Sequence, residues 1–88
     1  MMNVLERDRE LAEKLVNFGA LCLLQARLEW LHDQLDGAEK WAEEFLRCKR
    51  DLDELVRKKE EHDKLVQLVE VMKERGIDIA IVMRKGNE

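Results

Sequence analysis

Two long stretches of helical periodicity meet at Leu35-Asp36-Gly37-Ala38-Glu39, and this junction constrains the chain more than any other feature. A helical pattern runs from about residue 3 to residue 35, and a second runs from about residue 38 to residue 75. Gly37 lacks a Cβ and reaches positive φ freely, which suits the end of a helix. Asp36 stands three residues before Glu39, the spacing of a capping box that starts a new helix. Helices joined by so short a link fold back antiparallel. The expected fold is therefore all-α: a long antiparallel hairpin with coiled-coil character and its turn at residues 36–37. Reflection about that turn sets Phe18 level with Leu55. One unbroken helix through Gly37 is the competing arrangement.

In the first stretch, Asn3 is a candidate N-cap, with Glu6 three residues on. Val4, Leu11, Leu15, Phe18 and Cys22 follow on one face. Leu21, Leu24, Leu28, Leu31 and Leu35 form a second stripe with alternating spacings of three and four, the pattern of a coiled-coil seam. The second stripe is rotated by roughly 130° from the first. A helix apolar on two faces has two neighbours, unless it breaks near Asn17 and Gly19 to give three helices. The second stretch carries a seam of Trp41, Phe45, Cys48, Leu52 and Leu55, then a fully charged run, then Leu65 to Met72 on a rotated face. Repeated pairs such as Glu43 with Arg47, Glu54 with Lys58 and Glu60 with Lys64 support an exposed helix. Lys73-Glu74-Arg75-Gly76 is a C-terminal signature. Beyond it, the β-branched segment 77–83 predicts a short C-terminal strand, with a disordered tail at 84–88.

A chain of 88 residues folded as one hairpin has little interior. Self-association into a helical bundle, a homodimer first, answers both that shortage and the double apolar faces. Charged residues are 41% of the chain and the net charge is −4, which disfavours a general nucleic-acid binder. Scarce Asn and Gln beside abundant charge pairs lean towards a thermophilic source. No apolar run approaches a membrane span and no secretory leader is evident, so the expected place is cytoplasmic. Cys22 and Cys48 form no CxxC pair and read as small buried hydrophobes.

Serine, threonine and tyrosine are absent, which excludes a serine nucleophile. Glu29-x-x-His32 has the spacing by which helical di-iron proteins present two ligands from one face. Leu28, Leu31 and Leu35 claim the seam there, so an exposed flank explains the pair better. Glu60-x-x-Asp63 is similar to the magnesium-holding acidic pairs of all-α nucleotide pyrophosphatases, and reflection puts Glu10 and Glu13 opposite it. A charge-rich helix produces that coincidence readily. Arg57-x4-His62 has a spacing found in small helical ribonucleases, but lacks an Asn or Asp after the arginine. The basic stretch from Arg47 to Lys59 is interleaved with Asp51, Asp53 and Glu54 and reads as a solvated face.

These candidates leave a non-enzymatic protein-interaction module without a cofactor, an adaptor, assembly factor or small regulatory subunit. A metal-binding or nucleotide-hydrolysing bundle and a nucleic-acid-associated regulator are the alternatives. The residues expected to meet another protein are Trp30, which lies off the main seam, and Ile77, Ile79, Ile81 and Met83 of the strand.

Overall fold

A computed structural model describes residues Met2–Gly76. A single 3₁₀ turn, Glu6–Asp8, leads into helix α1, Arg9–Leu31; helix α2 is Leu35–Glu74. The two helices pack along each other as an antiparallel hairpin, all-α among the described residues. The expected strand at 77–83, with Ile77, Ile79, Ile81 and Met83, lies outside the described residues, as does the tail.

The reversal falls at His32–Gln34, not at Asp36–Gly37. Asp33 takes φ 61°, in the left-handed region. Its N–H donates to the Trp30 carbonyl at 3.2 Å, and the Gln34 N–H donates to Glu29 at 2.8 Å. This pair of bonds is a Schellman cap with Asp33 in the position where glycine is usual. Aspartate tolerates that conformation better than most residues. Gly37 is an ordinary helical residue, three places after the Gln34 N-cap. Its missing Cβ serves a close approach instead: a Cβ there would lie 2.7 Å from Oε2 of Glu29. The Glu29 carboxylate thus sits over the first turn of α2, where free N–H groups favour negative charge.

Moving the turn moves the register by roughly two helical turns. Phe18 is not level with Leu55; its neighbour Gly19 faces Phe45 and Cys48, where a Cβ would sit 3.6 Å from each. The seam of α1 is Ala12, Leu15, Gly19, Cys22, Ala26 and Glu29, all buried or half-buried. The seam of α2 is Ala38, Trp41, Phe45, Cys48, Leu52, Leu55 and Lys59. Both keep the alternating three and four of a coiled coil. On α1 the seam consists mainly of small side chains, so the larger ones of α2 settle into it. Helix α1 runs unbroken through Asn17 and Gly19, and Gly19 sits in the seam against Phe45 and Cys48 rather than at a bend.

Val4, Ala12, Leu52 and Leu55 form the core cluster, with Leu15, Val16 and Val56 against it. Residues 2–5 turn back along α1, which buries Val4 and brings Met2 beside Val16. Asn3 therefore does not cap a helix. The 3₁₀ turn stands level with His62, so roughly the last three turns of α2 run on past it. That arm ends as its sequence predicts, with Gly76 at φ 72°.

Candidate interaction surface

The leucine stripe expected to be the hairpin seam is outside it. Leu21, Leu24 and Leu28 are exposed, and Leu31 is 63% exposed. They lie roughly 100–180° round α1 from Cys22, which is fully buried. Leu35 does not continue the stripe, because the chain has turned before it and it is the first residue of α2. Phe18, half-exposed, joins the leucines to the edge of the seam. From Leu15 to Leu31 only Arg27 and Glu29 are charged, and Glu29 is folded against Gly37. The result is a bare apolar face about 20 Å long. Phe18, Leu21, Leu24, Leu28 and Leu31 leave roughly 450 Å² of side chain in water, the size of the largest patches on monomeric proteins.

Trp30 is 64% exposed on the other flank of α1. It overlooks a shallow floor of Ala26, Ala38 and Ala42, with Arg27 and Glu39 at its rim. A third apolar area lies on the arm of α2, where Leu65, Val66, Leu68 and Val71 are exposed.

The metal candidates are scattered. Glu29 and His32 lie at the turn, while Glu60 and Asp63 lie about 40 Å along α2 from it. Asp63 holds Lys59 at 2.5 Å, and His62 faces Leu5 to Arg7 rather than Glu10 and Glu13. Among the described residues no three His, Cys, Asp or Glu side chains gather as a metal would require. The basic stretch is neutralised along its own helix: Arg47 meets Glu44 at 3.4 Å, Lys49 meets Asp53 at 2.6 Å, and Arg57 meets Glu54. Arg47 chooses Glu44 over Glu43, and Glu54 takes Arg57 over Lys58. Spacings of three and four serve equally on a helix, and the sequence does not rank them.

Cys22 and Cys48 face each other in the seam. Burial pushes the Cys22 thiol upwards, reinforced by Cys48 and Glu44. A thiol held neutral in an apolar seam acts as a packing group, not a nucleophile. No helix among the described residues is long and apolar enough to cross a membrane. The α1 face was legible in its spacing, but not its placement outside the hairpin. Comparison with protein-family models, with curated proteins and with solved structures yields no match, so the functional reading rests on the chain's own surface.

Proposed function

We propose that this protein is a non-enzymatic interaction module whose working surface is the outer face of α1, Phe18 to Leu31. The observation that carries this reading is the placement of the leucine stripe. A seam with coiled-coil spacing faces water, while smaller side chains close the hairpin. Apolar surface of this extent, bordered by polar residues, marks a site that another chain covers. Trp30 and the arm of α2 give the module further contact points, so one hairpin can link chains as an adaptor or assembly subunit. The ion pairs along α2 offset much of its charge and suit a solvated face.

The test places a photo-crosslinking amino acid at Leu24 in cells that produce the protein. Irradiation should yield discrete covalent adducts with protein chains, and excess unlabelled chain should compete them away. A label that reacts with no protein, or with a smear that competitor does not reduce, sinks the reading.

A further inference from the structure

Resting on that reading, we propose that a second copy of this chain closes the α1 face. The two α1 helices run antiparallel, with Leu21 against Leu31 of the partner subunit and Leu24 against Leu28 of the partner subunit.

Spacing is the first argument. Leu21, Leu24, Leu28 and Leu31 are separated by three, four and three residues. That order is the same read in either direction. A two-fold axis level with Ala26, perpendicular to α1, therefore maps the set onto itself, the self-complementarity that an isologous interface requires. Each leucine gains a leucine opposite, and none is left over.

Charge fixes the direction. Carried towards the N-terminus, the same line on α1 holds Asn17, Lys14 and Glu10 in place of leucine. A parallel pair would set Lys14 against Lys14 and Glu10 against Glu10, like charges in register. The antiparallel pair confines contact to the apolar half. It also carries each Lys14 towards the other copy's turn, where Asp33 and Asp36 are acidic.

Area points the same way. Two faces of roughly 450 Å² each, together with their flanks, reach the ~1,000 Å² that a specific interface needs. The cluster of Val4, Ala12, Leu52 and Leu55 lies towards the end of the hairpin away from the turn, and a dimer would add apolar burial beside the small Cys22, Ala38 and Cys48 at the turn-proximal end. Trp30 lies on the flank away from the axis and stays open in the dimer, free for a different chain.

Light scattering on the full chain at micromolar concentration should give about twice the 10.4 kDa of one copy. The double variant Leu24→Arg with Leu28→Arg should halve that mass while its circular dichroism remains helical. Direction is read separately, without depending on that variant folding. Leu21→Cys and Leu31→Cys proteins are mixed and oxidised with diamide, which takes up the two protons and two electrons released as the disulfide forms. The mixed disulfide should predominate severalfold over either self-disulfide. A wild-type chain with the mass of one copy overturns the dimer, yet leaves the photo-crosslinking test free to find another protein on the same face. Predominant self-disulfides overturn the antiparallel arrangement. Monomers that co-sediment with phosphatidylglycerol vesicles overturn the proposal in favour of a lipid surface.

Discussion

Asp33 and Gly37 exchange the roles that their residue types suggest, and both can be tested by substitution. Asp33 occupies the left-handed region, where an L-residue is strained. Asp33→Gly relieves that strain but frees the unfolded chain, and should raise stability by about 0.5–1 kcal/mol. Gly37 is helical, so Gly37→Ala gains up to about 1 kcal/mol of helix propensity. The new methyl meets only the end of a flexible glutamate, and displacing that carboxylate returns roughly 0.3–1 kcal/mol. Chemical denaturation should show Gly37→Ala unchanged or slightly more stable; a loss above about 1 kcal/mol would place the turn at Gly37 after all. Cys22 supplies a pH-dependent test. Its folded thiol titrates above the ordinary value of 9.0 because burial disfavours the thiolate. Above the ordinary value the unfolded state releases a proton that the folded state keeps, so the stability contributed by Cys22 is whole below pH 9.0 and is lost as pH rises past it. Cys22→Ala should flatten that alkaline decline. Reaction with a thiol reagent at pH 8 should wait for unfolding, and rapid labelling of the native protein would contradict the buried seam.

At the scale of elements, the seam between α1 and α2 is set by fit between small and large side chains. Gly19 leaves room for an ordinary contact of a methyl group with Phe45 and Cys48. Gly19→Ala should therefore be tolerated or mildly stabilising, by up to about 1 kcal/mol of helix propensity. Gly19→Leu should force the helices apart and cost about 1–3 kcal/mol, as overpacked cores do. Equal melting of the two variants would show that the helices do not meet at Gly19. Helix α2 is long for a different reason. Ion pairs at spacings of three and four line it up to the end of the seam, from Lys49 with Asp53 to Lys59 with Asp63, each contributing about 0.2–0.5 kcal/mol. Lys59 and Asp63, half-buried and paired, close the apolar seam where the 3₁₀ turn begins to share the surface. The arm beyond them runs to the Gly76 cap, and its exposed Leu65, Val66, Leu68 and Val71 are not satisfied by α1.

As a whole molecule, the hairpin measures 65 × 27 × 15 Å and is far from a compact globule. Its thin dimension is little more than one helix diameter, so almost every residue has a side in water. Such a shape gives one chain several separate contact faces: the leucine face of α1, the flank of Trp30 and the arm of α2. Pairing through α1 leaves the other two on the outside of the assembly. The sequence by itself determined two long helices, their antiparallel return, the α2 seam from Trp41 to Leu55, the buried cysteines and the end of α2 at Gly76. These follow from periodicity, chain connectivity and glycine at a C-cap, all of them local. Only tertiary structure decided where the chain turns, because aspartate in a Schellman cap leaves a weaker mark than the glycine four residues later. It also decided which of two apolar stripes on α1 faces α2. Hydrophobic spacing records that a face is to be covered and is silent on whether the same chain or another covers it. Shape complementarity between Gly19, Cys22 and Ala26 on one side and Trp41, Phe45 and Cys48 on the other made that choice, and it exists only once the two helices are side by side.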